Sequence, residues 1–134
     1  MASTAARYCA FLLVAFTAAG QAATLHPSDD PATSAIWLKV RASLFEGRSI
    51  APAPAGMLTL EAPARAIDAA VVPIAIRTRL PHTASRHVAR LYLVIDANPS
   101  PISAIFQFTP ESGRAEVETR ARIDEYSHVR AIAE

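Results

Sequence analysis

Cysteine is nearly missing from this sequence of 134 residues, since Cys9, close to the amino terminus, is the only one. Disulfide bonds, thiolate metal sites and thiol nucleophiles all need cysteine, so the sequence after Cys9 supplies none of them. Glycine is also scarce, and four scattered glycines exclude a glycine-rich phosphate-binding loop. A folded domain in this chain must therefore gain its stability from packing alone.

An excess of charge of one sign is missing as well. The formal net charge is +1, and no concentrated basic segment is present, so the sequence argues against nucleic-acid binding. Hydrophobic residues make up 51% and charged residues 19%, which is typical of a globular protein. The length fits one domain with its own core.

Residues 1–23 have the pattern of a cleavable secretory signal. Arg7 gives a positive start, residues 9–19 are apolar, and small residues follow, with cleavage predicted after Ala22 or Ala23. The apolar run of about 11 residues is shorter than the roughly 20 that span a bilayer. We therefore predict export to the periplasm without stable membrane insertion.

Residues 24–56 are predicted to hold a polar leader, one amphipathic helix and a proline-bearing linker. Asp30 suits a helix N-cap, Pro31 suits the first helical position, and Gly47 suits a left-handed exit. Apolar residues recur on one side of a 3.6-residue period at Ile36, Trp37, Val40 and Leu44.

From residue 57 onward the apolar period changes to two, which indicates half-buried strands. Six candidate strands lie at 57–61, 72–77, 88–96, 102–108, 116–122 and 126–133. We group Ile102, Ala104, Phe106 and Phe108 on one face of the fourth strand. Pro73 predicts an edge position for its strand or an outward-facing nitrogen. Turn residues separate the strands with no helical pattern between them, so residues 57–134 are predicted to form an antiparallel β-sandwich.

No catalytic, cofactor-binding or metal-binding residue is predicted. His82 and His87 lie five residues apart, but metal sites normally need three or four ligands with supporting partners. The carboxylates are predicted at a helix cap, an exposed strand face and turns, which does not suit an acid and base pair. No serine lies in a Gly-x-Ser-x-Gly motif. The chain is therefore predicted not to be an enzyme.

Trp37 and Phe45 are the candidate interface residues. Both could form a surface for a partner, yet aromatic residues at helical spacing more often pack on the protein's own sheet. Both interpretations stay open at the level of sequence.

Several segments together resemble the SoxY family, and most closely its SoxYZ-like carriers associated with quinoprotein dehydrogenases. The resemblance runs from Trp37 to residue 134, and its most specific part is an Asp-x-Asn-Pro-x-Pro turn between strands. The matching segments are 58–63 (LTLEAP), 69–74 (AAVVPI), 94–101 (VIDANPSP), 120–122 (RAR) and 129–134 (VRAIAE).

The resemblance implies an immunoglobulin-like sandwich that pairs with a SoxZ-like domain. It also implies a periplasmic carrier that serves periplasmic oxidoreductases and holds sulfur intermediates on a cysteine of a mobile C-terminal arm. That cysteine has no counterpart here, and we expect the sandwich at 57–134 to lack the last strand of the family. An alternative remains open: a non-catalytic binding or structural module on the same fold, since fold alone does not establish function.

Overall fold

The computed structural model describes residues 30–134, so the predicted signal and the polar leader up to residue 29 lie outside the described residues. One α-helix comes first, α1 (Ala35–Phe45). Six strands follow: β1 (Leu58–Glu61), β2 (Val72–Thr78), β3 (Arg90–Ile95), β4 (Ile102–Gln107), β5 (Glu116–Ala121) and β6 (Val129–Ala133). The order of one helix before six strands agrees with the sequence pattern.

The start of the helix differs from the prediction. Asp30 caps a short 3-10 turn over Pro31–Thr33, and α1 begins only at Ala35, where the Ser34 hydroxyl accepts a hydrogen bond from the Trp37 amide. Both residues are favourable caps, and the sequence alone did not show which one begins the regular helix. The left-handed exit begins at Glu46 (φ 46°) and continues through Gly47 (φ 82°), so the predicted end was one residue late.

The strands form two antiparallel sheets of three, with orders β1-β2-β5 and β4-β3-β6. This is the predicted mostly β, immunoglobulin-like sandwich preceded by one helix. The main core lies between the sheets, where Ile76, Leu91 and Ile95 are fully buried and Phe106 packs at its edge. The predicted division of the chain at residue 56 stays a prediction.

A second core lies between α1 and the outer face of the β4-β3-β6 sheet. Trp37, Val40 and Phe45 of the helix pack there on Tyr92 and Val94 of β3. Strict alternation along residues 88–96 would put Tyr92 with Arg90 on the face opposite Leu91 and Leu93, which a two-layer sandwich leaves to solvent, whereas the structure leaves Tyr92 only 3% exposed. β3 is thus buried on both faces, because the helix covers the side that a two-layer sandwich would leave to solvent.

A β-bulge corrects the predicted face of β4. Leu93 pairs with Ala104 but Val94 pairs with Ile102, so Ser103 is the extra residue. Ala104 therefore faces the main core while Ile102 packs under the helix. Strict alternation had put these two residues on one face, and a bulge is not visible in the apolar period.

Pro73 lies in a central strand, so the first of its two predicted alternatives, an edge strand, was wrong, while the second, a nitrogen that faces away from a ladder partner, agrees with the register. β2 has β1 on one side and β5 on the other, but the pairing with β1 ends at Ala75, before Pro73 is reached. At Pro73 the strand has a ladder partner on one side only, which is how a proline is tolerated there. The outer face of this sheet carries cross-strand ion pairs, with Arg77 between Glu61 and Glu118.

Candidate functional site

The turn between β3 and β4 is held by a buried ion pair. Asp96 is fully buried at the end of β3, and Arg130 of β6 donates to both of its carboxylate oxygens, from Nε at 3.0 Å and from Nη2 at 2.6 Å. Such two-point contacts are the geometry for which a planar guanidinium is suited. The apolar run before Asp96 signals a strand end, but nothing in the sequence links it to Arg130, 34 residues later.

Arg130 also connects the sheet to the start of the helix. Its Nη2 donates to the carbonyl oxygen of Pro31 at 2.7 Å, and its guanidinium carbon lies 4.6 Å from the ring centroid of Trp37. A cation over an indole face is attractive, and more so where water is excluded. One arginine thus fixes the position of the helix relative to β6.

The Asn-Pro part of the same turn makes a second connection. The side-chain nitrogen of Asn98 donates to the carbonyl oxygen of Arg122 at 2.7 Å. Its side-chain oxygen accepts a hydrogen bond from the backbone amide of Asp124 at 3.4 Å. The Asp-x-Asn-Pro-x-Pro motif is therefore a structural connector, since its Asp and Asn side chains tie the turn to β6 and to the segment after β5.

A second polar cluster surrounds the Glu134 carboxylate. It accepts hydrogen bonds from the Tyr92 hydroxyl at 2.5 Å and the Arg90 guanidinium at 3.1 Å, and it pairs with Arg48 of the linker. The Tyr92 hydrogen bond, followed by that of Arg48, lowers the pKa of Glu134 from 4.5 to about 2. This cluster joins the linker to the helix-covered sheet, and sequence reasoning missed it because its members are distant in the chain.

A groove of about 940 Å³ runs beside β6, between the two polar clusters. Helix α1, the linker after it, the start of β1 and the chain from Arg130 to Glu134 all line it, and its surface is mainly apolar.

Trp37 and Phe45, the predicted interface residues, both line this groove. They are nevertheless mostly buried, with 8% and 4% exposed, and the Phe45 ring meets Tyr92 edge to face at 5.1 Å. The packing on the protein's own sheet is thus present, while their contact with a partner stays a prediction.

The histidines are not gathered into one place. The rings of His82 and His87 lie 5.6 Å apart, and His82 Nε2 is 2.7 Å from the carbonyl oxygen of Thr109. His128 lies directly before β6, where its Nε2 is buried without a hydrogen-bond partner among the described residues, and His26 lies outside these residues. Within residues 30–134 no three metal-ligating side chains of histidine, cysteine, aspartate or glutamate come together.

No helix in the described part of the chain has the length and apolar character needed to cross a membrane.

Comparisons with known proteins agree with this architecture. The family model described as "Sulfur oxidation protein SoxY" matches residues 41–134, which is well over half of the chain. A search of curated proteins found no match. Among solved structures, the sulfur carrier protein SoxY from Chlorobium limicola f thiosulfatophilum is similar, with a TM-score of 0.59 and 22% sequence identity over 73% of this chain and 82% of that one. At this identity the likeness shows the fold alone.

The matched residues include all six strands, the Asp96–Arg130 pair with its turn, and the cluster around Glu134. The chain belongs to the SoxY family of sulfur-oxidation proteins, a family of carrier proteins and not of enzymes.

Proposed function

We propose that this chain is a periplasmic SoxY-like carrier domain for the covalent carriage of sulfur intermediates during sulfur-compound oxidation. The family match over residues 41–134, together with the sandwich that these residues form, is the observation that carries the proposal. The apolar segment and small residues at positions 1–23 support export to the periplasm.

The proposal puts the sulfur-bearing thiol outside residues 30–134, because these residues contain no cysteine. A thiolate is the nucleophile that holds such a group, and a mobile arm would let it visit several enzymes. In this arrangement the sandwich is the body of the carrier, and the thiol belongs to a further segment or to a partner chain.

The partner in this proposal is a SoxZ-like domain, with periplasmic oxidoreductases as the proteins that the carrier visits. A quinoprotein alcohol dehydrogenase system is the proposed setting, on the strength of the Asp96 turn and its flanking strands, which most resemble the carriers of that group. Deletion of the gene should then impair growth on the alcohol that this dehydrogenase oxidises. Unchanged growth would argue against the quinoprotein setting while leaving sulfur carriage intact.

Intact-mass spectrometry of the protein purified from periplasm tests the main proposal. We expect a mass that corresponds to cleavage after Ala22 or Ala23, and co-purification with a SoxZ-like domain. A cysteine that carries a sulfur adduct, on this chain or on the co-purified one, would support carriage. A cysteine-free complex without any adduct would instead favour the alternative, a binding or structural module on the same fold.

A further inference from the structure

The odd-numbered residues of β5 point their backbone groups toward β2. Directly before β5, the carbonyl oxygen of Ala115 accepts a hydrogen bond at 3.1 Å from the hydroxyl of Thr78, the last residue of β2. Beyond β5, the Ile123 amide donates at 2.8 Å to the carbonyl oxygen of Ala69, which precedes β2. In an antiparallel pair, backbone groups point to the same side at every second position. The odd-numbered residues between these two contacts therefore face β2 as well.

The three even-numbered residues of β5 point their backbone groups the other way. Glu116, Glu118 and Arg120 thus present amide and carbonyl groups to the outer edge of the β1-β2-β5 sheet. Within residues 30–134 no strand pairs with that edge, and these groups have no hydrogen-bond partner. The edge is a template for one more strand.

This edge lies on the side of the sandwich away from β6. β1 lies beside β6, and β2 separates β1 from β5. A strand that paired with β6 would lie next to β1 and would not reach β5. What pairs with β6 is thus a separate question from what pairs with β5.

The charged side chains along β5 follow a symmetric order. Glu116, Glu118 and Arg120 are exposed on the outer face of the sheet, and Arg122 directly follows the strand. Arg120 is the one of these four that has no oppositely charged partner within the described part of the chain. The order acid, acid, base, base is complementary to itself when it is reversed.

A second copy of β5 in antiparallel orientation would meet this order with opposite charges. With a two-fold axis at Thr119, Glu118 of each copy lies opposite Arg120 of the other, and these pairs exchange backbone hydrogen bonds through their outward groups. At the next position Glu116 lies opposite Arg122. On the inner face Thr119 lies opposite its own copy, which is a favourable cross-strand pair.

Other registers lose this match. A shift by two residues places either Glu118 or Arg120 opposite its own copy, and like charges directly opposite each other are destabilising. A slip by one residue no longer aligns the outward backbone groups. Charged edge strands often serve to prevent pairing, but that protection needs like charges to meet. In the register centred on Thr119 opposite charges meet instead, so the charge pattern selects a second copy as the occupant.

We propose that β5 is a self-association edge, at which two copies of this chain join their β1-β2-β5 sheets into one continuous sheet across a two-fold axis at Thr119. The contact consists of one pair of short strands, so the interface is small and the dimer is weak and depends on concentration. This inference concerns the assembly of two copies. It goes beyond the proposed function and holds whether or not the chain carries sulfur.

Sedimentation equilibrium of the protein purified from periplasm tests the edge. We expect a reversible monomer–dimer equilibrium between about 10 µM and about 1 mM protein, as for a small interface. Arg120→Glu replaces two attractive cross-strand contacts with two repulsive ones, so it should weaken dimerisation by about tenfold or more. Arg86→Glu is the matched control, because it makes the same change of charge at an exposed arginine between β2 and β3, and it should leave dimerisation unchanged.

A mixture of two variants tests the pairing of charges. Glu118→Arg should weaken dimerisation as Arg120→Glu does, because two bases then lie opposite each other. An equal mixture of the two variants should restore dimerisation, since every acid of one copy lies opposite a base of the other. A native chain that stays monomeric, equal weakening by Arg120→Glu and Arg86→Glu, or a mixture without restored dimers would each refute the proposal.

Engineered cysteines test the register. Thr119→Cys places two thiols on residues whose Cα atoms lie about 4.5 Å apart, which is within the range of a disulfide, so mild oxidation should give a dimer joined at position 119 in peptide mapping. Val117→Cys is on the same face, but it lies four residues from its own copy, or about 14 Å along the strands, and should form no such dimer. Equal crosslinking of both variants, or crosslinking at position 117 alone, would contradict the register.

Discussion

Replacement of Arg130 by methionine is the sharpest test of the structure. Arg130→Met keeps a chain of similar length that can still pack on Trp37, but it removes both hydrogen bonds to Asp96, which is 0% exposed. Breaking a buried pair by removing one partner costs about 3–5 kcal/mol, because the other charge is left buried without compensation. Since total stability is about 5–15 kcal/mol for a typical domain, this loss is a large share of it.

Urea unfolding measures the effect. Trp37 is the only tryptophan and lies beneath the Arg130 guanidinium, so its fluorescence reports on the affected site, while far-UV circular dichroism reports on the sheets. With a slope of about 2 kcal/mol per molar urea, the unfolding midpoint should fall by about 2 M. Arg130→Lys should give an intermediate loss, because a lysine cannot contact both carboxylate oxygens in the same fork.

A double-mutant cycle decides whether the pair itself is responsible. Asp96→Asn removes the buried charge, so Arg130→Met should cost much less in that background than in the native one. A loss below about 1 kcal/mol for Arg130→Met, or additive losses in the double variant, would refute the buried-pair reasoning.

Three further predictions concern other parts of the fold. The pKa of Glu134 is lowered from 4.5 to about 2, so its carboxylate stabilises the folded state above pH 4.5, and this contribution is lost as the pH falls toward 2. In an NMR titration Tyr92→Phe should raise the pKa of Glu134 and so narrow the pH range over which the stabilisation is lost, and an unchanged pKa would contradict the assigned contact. Leu91→Ala in the main core should cost about 2–5 kcal/mol in urea unfolding, whereas Leu38→Ala, at a side chain 50% exposed, should cost less than about 1 kcal/mol; equal losses would contradict the burial. Ser34→Ala should cost about 1 kcal/mol by removing the helix cap, and Ser34→Asp should restore most of it.

The strands were predictable because each one carries its own signal. The two-residue period gave the positions of Ile74 and Ile76 in β2 and of Leu91 and Leu93 in β3, and turn residues separated them. Local patterns of this kind depend only on residues close in the chain. They also showed that the outer face of β5 is solvated, as the ion pair of Glu118 with Arg77 confirms.

Other features were not predictable because they depend on what covers each face. Tyr92 alternates with apolar residues and so resembled a solvent-facing residue, but the helix folds over it. The bulge at Ser103 moves Ile102 to the helix side without any change in the apolar pattern. A central strand tolerates Pro73 because β1 ends before it reaches that position. The length of a neighbouring strand cannot be predicted from the residues around the proline.

By itself the sequence determined the mostly β class, the presence of one helix, and the lack of a thiol after Cys9, because period and composition are local properties. Only the tertiary structure decided that Arg130 contacts Asp96, that Glu134 accepts hydrogen bonds from Tyr92 and Arg90 and pairs with Arg48, and that the helix covers Tyr92. Each of these depends on residues brought together from distant parts of the chain, where no spacing rule applies.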